Sequence, residues 1–225
     1  MKRVSIFVDG NYVQSQINKS WSNGKQPSQS ALIDYANLSN RLQKEVQDQV
    51  PESYLLRIYW YDCLDPTRST EDHEAIKELD NFTLRLDVEG NVSSRMMSDL
   101  MILAQQRAMT HALLVTDRVC LAPSVEVVQS MGLRVHLLSL GEPSAMVTAL
   151  AAEADLKRSW SVADIQRFAS RPLAVPDAPK LGLWTESAWA AAETPVAMPH
   201  SEEVPLARVA EVANARIKEG PQSMV

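Results

Sequence analysis

Short segments rich in β-branched and aromatic residues alternate with segments of helical periodicity from residue 4 to about residue 168. Strands are predicted at 4–8, 54–61, 82–86, 112–115 and 133–140, where such residues are bounded by turn-forming ones. Strands that are separated by helices pair in parallel and are covered on both faces. The sequence therefore predicts an α/β fold, a three-layer sandwich with a mainly parallel central sheet.

Apolar residues at helical spacing predict the helices between these strands, at 32–50, 70–81, 93–109, 123–131 and 146–168. Ser93 and Ser94 are candidate N-caps of the third helix. Pro123 suits the first turn of the fourth helix, and Gly132 suits its C-terminal stop. The polar residues 18–30 are predicted to form a loop.

The composition changes at Pro172. Seven of the twelve prolines lie from Pro172 onward, among Ala, Glu and Ser residues, which is typical of a linker or tail. We therefore predict a domain at 1–170 and a Pro/Ala-rich linker and C-terminal tail at 171–225, with a short helix at 205–218. The apolar residues of that helix suit docking onto the domain, onto a second copy in a homodimer, or onto a partner protein.

Charge and hydrophobicity limit the function classes. No segment reaches the length of a membrane span or of a signal-peptide apolar region, so we expect a cytoplasmic protein with no membrane partner. Cys63 and Cys120 lack the paired spacing of a zinc site and are expected to be reduced. The formal net charge of -6 argues against a broadly basic surface that coats nucleic acid. It does not argue against a nuclease whose bound cations meet the phosphate.

Several aspartates are predicted near one edge of the sheet. Asp9, Asp62 and Asp117 follow predicted strands, and Asp99 interrupts the apolar first turns of helix 93–109. Ligands of parallel sheets bind beyond the carboxyl ends of the strands, and a cluster of carboxylates there could hold Mg²⁺ or Mn²⁺ that activates water. A structural role is open for each: a turn for Asp9, a helix-dipole contact for Asp99, and a cap for Asp117.

The order of these segments resembles the NYN domains, a LabA-like group of the PIN-like nucleases. The first strand of that family typically ends in a pattern like F-x-D-G-x-N. Here Asp9 and Gly10 match, Asn11 takes the first Asn position, and Tyr12 replaces the second Asn. The segment 58–62 (IYWYD) is similar to the aromatic second strand of the family, and the resemblance covers roughly residues 3 to 160. It implies a PIN-like fold and a metal-dependent ribonuclease that acts on RNA.

The acidic motifs of the family are incomplete in this chain. The family commonly has an aspartate six residues before its helix aspartate, and Ser93 stands there. Its third strand usually ends Ser-Gly-Asp-Ser-Asp-Phe, but Arg118 and Cys120 occupy the two Asp positions. Asp117 falls where glycine is expected, and a small backbone shift would be needed to bring its carboxylate into the site.

Two hypotheses follow from these residues. In the first, the chain is a Mg²⁺- or Mn²⁺-dependent endoribonuclease. Asp9, Asp99 and Asp117 are then the catalytic and metal-binding residues, and Asn11, Arg95 and Arg118 assist RNA binding. In the second, Arg118 pairs with Asp9 or Asp99 and takes the electrostatic place of the metal. The domain is then an inactive module that binds RNA or a protein.

Overall fold

The computed structural model describes residues 1–21, 31–63, 70–87, 90–142 and 145–171. The strands are β1 (Lys2–Asp9), β2 (Leu32–Ile33), β3 (Ser53–Cys63), β4 (Phe82–Asp87), β5 (His111–Val115), β6 (Arg134–Leu140), β7 (Leu156–Trp160) and β8 (Ala169–Ser170). The helices are α1 (Gly10–Trp21), α2 (Tyr35–Gln49), α3 (Thr70–Lys77), α4 (Val92–Gln105), α5 (Ala122–Ser130), α6 (Ala145–Glu153) and α7 (Val162–Ile165). A 3₁₀ turn at Val119–Leu121 precedes α5.

The main sheet has the strand order β4-β3-β1-β5-β6-β7, and every neighbouring pair is parallel. From β1 the chain moves outward through β3 to β4, and then returns to the other side of β1 and moves outward through β5 to β7. The order therefore reverses between β1 and β5. In open parallel sheets the crevice beyond the carboxyl ends of such strands is where ligands bind. The end of β1 places Asp9 in this crevice, and the residue after β5 places Thr116 there.

The central strand β1 is buried from Val4 to Asp9, as expected when helices cover both faces of a parallel sheet. Its side chains alternate between the faces. Asp9 shares one face with Tyr61, its register partner on β3, and Val8 shares the other with Trp60. Because α2 packs its Tyr35 ring edge-on against Trp60, with centroids 5.5 Å apart, α2 covers the second face.

Helix α4 covers the face that carries Asp9. Its residues Val92, Met96, Leu100 and Ala104 recur every four positions and are buried, which gives the helix one apolar stripe toward the sheet. Asp99 lies one position before Leu100 and contacts the hydroxyl of a strand tyrosine on that face. Helices on both sides of a parallel sheet confirm the predicted three-layer α/β architecture.

Gly10 lets α1 begin directly at the end of β1. A β-carbon at this position would lie 2.6 Å from Trp60 Nε1 and 3.1 Å from the Tyr61 carbonyl oxygen. The first distance is too short for a carbon atom and the second is tight, so a side chain here would force α1 or the Trp60 ring to shift. The Asp9-Gly10 pair therefore reflects close packing between helix and strand.

Some sequence predictions were wrong. The segment predicted as one helix at 146–168 contains α6, the edge strand β7 and the short α7. Four of the five residues of β7 are exposed, so this strand has no apolar signature. Helix α1 was not predicted, and Asn91, not Ser93 or Ser94, is the N-cap position of α4. The predicted helix at 205–218 and most of the predicted loop at 18–30 lie outside the described residues. Within the described part of the chain, no helix is long and apolar enough to cross a membrane.

Candidate functional site

Asp9 is buried at the sheet edge, with 1% of its surface exposed, and both of its carboxylate oxygens are bonded. Oδ1 accepts hydrogen bonds from the backbone N–H groups of Asn11 and Tyr12, at 3.1 and 3.2 Å. It thereby satisfies donors of the first turn of α1. Oδ2 accepts from the Thr116 hydroxyl at 3.3 Å and from Arg118 Nε at 2.5 Å. Four donors therefore stabilise this buried charge.

Arg118 is the cation that neutralises Asp9. Its Nη1 also donates to the Ser93 hydroxyl at 3.1 Å, and its backbone N–H donates to Thr116 Oγ1 at 3.2 Å. Burial acts to lower the pKa of Arg118, but the hydrogen bond and charge of Asp9 outweigh it and the pKa is raised. The side chain remains 28% exposed, so the guanidinium spans the space between the buried carboxylate and solvent.

Asp99 on α4 forms a second paired site on the same sheet face. Its Oδ2 accepts a hydrogen bond from the Tyr61 hydroxyl at 3.0 Å. The same oxygen lies 3.2 Å from Arg85 Nε, an ion pair in which that N–H makes no hydrogen bond. The Arg85 guanidinium also lies over the Tyr59 ring, 5.5 Å from its centroid. Burial, and then the negative charge of Asp99, raise the pKa of Tyr61 well above its usual range, so its hydroxyl stays protonated.

The other predicted site residues lie around these two pairs. Asp117 is half-buried, and its charge adds to burial in raising the pKa of Tyr12 to about 12. Asn11 Nδ2 donates to Cys63 Sγ at 3.5 Å. Arg95 is exposed on α4, two residues after Ser93.

Asp62 points away from this site. It follows Tyr61 in β3, so its side chain lies on the opposite face of the sheet. There it is buried, accepts from the Cys63 backbone N–H at 2.8 Å, and lies 3.4 Å from His73 Nε2. Asp62 therefore belongs to the contact between β3 and α3.

The residues at the sheet edge do not fit a Mg²⁺ or Mn²⁺ centre as they stand. Hard divalent cations need several oxygen ligands arranged around one point. In the described ranges, no group of three or more His, Cys, Asp or Glu side chains is arranged to hold a metal ion. Both oxygens of Asp9 already accept hydrogen bonds, and each of Asp9 and Asp99 has an arginine where a cation would bind.

The sequence interpretation missed three residues of this site: Thr116, Tyr61 and Arg85. The sequence does contain a signal for Arg85. It is a single arginine between Leu84 and Leu86 in a predicted strand, so its side chain lies on one face of the sheet, the face that also carries aromatic residues of a neighbouring strand. The register pairs Arg85 with Tyr61. The burial and hydrogen bond of Thr116 depend on the adjacency of β1 and β5, which no local pattern encodes.

The site lies inside the region that matches a known family. The model of the NYN domain matches residues 3–159. This chain belongs to the NYN domain family. Its fold and position among the PIN-like nucleases agree with the resemblance drawn from Asp9, Gly10 and Asn11.

Two proteins that are similar to this chain are described without an activity. The uncharacterized protein y4oD of Sinorhizobium fredii is 30% identical over 106 residues, which are 44% of this chain and 50% of that protein. The chain thus spans about half the length of this relative. The crystal structure of VPA0982 from Vibrio parahaemolyticus, titled a protein of unknown function, aligns with a TM-score of 0.55 at 14% identity. The alignment covers 75% of this chain and 96% of the VPA0982 chain. At 14% identity it supports the fold alone.

Proposed function

We propose that this NYN domain binds RNA through a metal-independent site and does not hydrolyse it. The observation that carries the proposal is the contact of Arg118 with both Asp9 and Ser93. Relative to the pattern of the family, Arg118 and Ser93 each stand where an aspartate is usual. The two exchanged residues bond each other, and the guanidinium at one of these positions also neutralises Asp9.

The charge of the site favours binding without catalysis. Hydrolysis by a PIN-like nuclease depends on metal ions that activate water and stabilise the leaving oxygen. Arg118 and Arg85 neutralise Asp9 and Asp99, but a guanidinium stays protonated and cannot activate water. Arginine also presents several donors in a planar fork that suits phosphate oxygens. Such a site can accept a phosphodiester but lacks the means to cleave it.

Three arginines provide the contacts with RNA in this proposal. Arg118 and Arg85 keep 28% and 32% of their side chains exposed while paired. Arg95 is exposed on the same α4 that carries Ser93 and Asp99. Because the chain has a net charge of -6, binding should be confined to this edge and involve few phosphates. We therefore expect a shallow dependence of affinity on salt.

The test is binding and integrity of labelled single-stranded RNA with the purified full chain, in Mg²⁺, Mn²⁺ or EDTA. We expect intact RNA in all three conditions and an affinity that EDTA does not change. Arg95→Gln, which leaves both ion pairs in place, should weaken binding several-fold. Arg57→Gln, at an exposed arginine of β3 outside the site, is the matched control and should bind as the wild type.

Three outcomes would overturn the proposal. Mn²⁺-dependent cleavage that EDTA and Asp9→Asn abolish would establish the ribonuclease instead, and would mean that a metal displaces Arg118. Absence of RNA binding by the wild type in every buffer would reject RNA as the ligand. Equal weakening by Arg95→Gln and Arg57→Gln would mean that the contact is not at the proposed edge.

A further inference from the structure

Two histidines lie in contact at the end of the sheet opposite Asp9. His111 begins β5, and His136 is the third residue of β6. The register pairs His136 with Leu113, so both histidines lie on one sheet face, on adjacent strands. Their ring centroids are 5.4 Å apart and their planes are inclined by 57°.

The hydrogen bonds of His136 determine which ring nitrogen carries the proton. Its Nδ1 lies 2.7 Å from Gln49 Oε1, and Gln49 Nε2 donates to Glu45 Oε1 at 2.7 Å. The oxygen of the Gln49 amide therefore faces the ring, and Nδ1 must be the donor. Nε2 is then an unprotonated acceptor. It is buried and has no hydrogen-bond partner among the described residues, in a side chain that is 2% exposed.

The contacts of His111 are compatible with the same tautomer. Its Nδ1 lies 2.9 Å from Thr110 Oγ1, and that hydroxyl is also 3.1 Å from the Arg3 carbonyl oxygen. When the hydroxyl proton is directed to the Arg3 carbonyl, Thr110 Oγ1 accepts the Nδ1–H of His111. In that tautomer Nε2 of His111 keeps its lone pair. Donation of one ring N–H to a protein acceptor is the usual arrangement of a metal-binding histidine.

Both imidazoles are neutral at pH 7, which is the form that binds metals. Burial, and then nearby positive charges, lower the pKa of His111. Burial, and then the charge that His111 carries when it is protonated, lower the pKa of His136 to about 4. The positive charge of Arg134 lowers both pKa values, and that of Lys2 lowers the pKa of His111. The negative charge of Asp155 raises both.

We propose that His111 and His136 bind a borderline transition-metal cation such as Zn²⁺ through their Nε2 atoms, at a site separate from the RNA site. Two imidazoles bound at about 2.0–2.1 Å in tetrahedral geometry place their ring centroids roughly 5 Å apart. The 5.4 Å separation is close to that value. Since no third His, Cys, Asp or Glu completes a cluster among the described residues, water would fill the remaining positions. Affinity should therefore be below that of a four-ligand structural site.

The test is calorimetric titration of the untagged full chain with ZnCl₂ at pH 7.5, supported by the visible absorption of Co²⁺. We expect one equivalent to bind, and at least tenfold weaker binding in His111→Gln. That variant changes a half-buried ring and leaves the His136–Gln49 bond intact. His136→Gln should have the same effect, with its fold checked by circular dichroism. His73→Gln and His200→Gln are the controls and should bind as the wild type.

Three results would overturn this inference: no stoichiometric binding by the wild type, unchanged binding in folded His111→Gln, or equal loss in a control variant. Retention of Zn²⁺ binding in Asp9→Asn would distinguish this site from the opposite edge. Loss there instead would assign the metal to the Asp9 site.

Discussion

Replacement of Arg118 by glutamine should destabilise the domain because it leaves a buried carboxylate without its cation. Asp9 is 1% exposed, so solvent cannot replace the lost charge, although three other donors remain. Breaking a fully buried pair costs about 3–5 kcal/mol. Because Arg118 is 28% exposed, part of its interaction is already screened. We therefore expect a loss of about 2–3 kcal/mol in the free energy of unfolding.

A double-mutant cycle separates the pair from its surroundings. Asp9→Asn keeps a side chain that can accept from the first turn of α1, while it removes the charge that Arg118 neutralises. The variant with both Asp9→Asn and Arg118→Gln should be more stable than the sum of the single losses predicts, by about 1–2 kcal/mol. Urea unfolding at pH 7, followed by circular dichroism, gives each value, and Arg57→Gln measures the effect of losing an exposed arginine.

Additive losses, with a coupling energy below about 0.5 kcal/mol, would refute the reasoning. They would mean that Arg118 does not stabilise Asp9 and that its contact in the structure has no energetic weight. A gain in stability of Arg118→Gln on addition of Mg²⁺ would carry a different meaning. It would indicate that a metal takes the place of the guanidinium once the arginine is removed.

Three further predictions test other parts of the molecule. The free energy of unfolding should fall by about 1 kcal/mol between pH 7.5 and 5.5. The pKa of His136 is lowered from 6.5 to about 4, so between these pH values the unfolded chain binds a proton that the folded chain does not. Urea midpoints at the two pH values measure this, and the difference should shrink in His136→Gln. Gly10→Ala should lower the free energy of unfolding by about 1–3 kcal/mol, because the added carbon would lie 2.6 Å from Trp60 Nε1. A urea midpoint equal to that of the wild type would contradict the close packing of α1. Ser93→Asp combined with Arg118→Asp should create Mn²⁺ affinity absent from the wild type, measured by calorimetry, since it replaces the guanidinium and the hydroxyl with carboxylates beside Asp9. No gain in affinity would mean that other residues keep metal from this edge.

The strands of the sheet were largely predictable because buried parallel strands are continuous apolar runs. The predicted 112–115 and 133–140 lie within one residue of β5 and β6, and β1 exceeds its predicted 4–8 only by its exposed start and Asp9. Edge strand β7 was missed because its exposed residues carry no such run. Helix α1 was missed because polar residues and Gly10 at its start resemble a turn.

Some members of the candidate site were predictable, but most of its pairings were not. Asp9, Asp99 and Arg118 were singled out, and the alternative in which Arg118 pairs with Asp9 matches the observed contact. The partner of Asp99 was not foreseen, because Arg85 reaches it from a strand two places away from β1. Contacts between side chains of different elements depend on strand order and register, which local periodicity does not determine.

Ser93 and Arg118 are best understood together. If position 93 held the family's usual aspartate, Arg118 would form an ion pair with that aspartate. Its ion pair with Asp9 would then be weaker. Serine offers a neutral acceptor, so Arg118 bonds Ser93 through Nη1 while its Nε and its charge remain with Asp9. The buried carboxylate of Asp9 also accepts hydrogen bonds from N–H groups of the first turn of α1. Asp9 therefore has a structural role that needs no metal, and an arginine from the end of the neighbouring strand neutralises its buried charge.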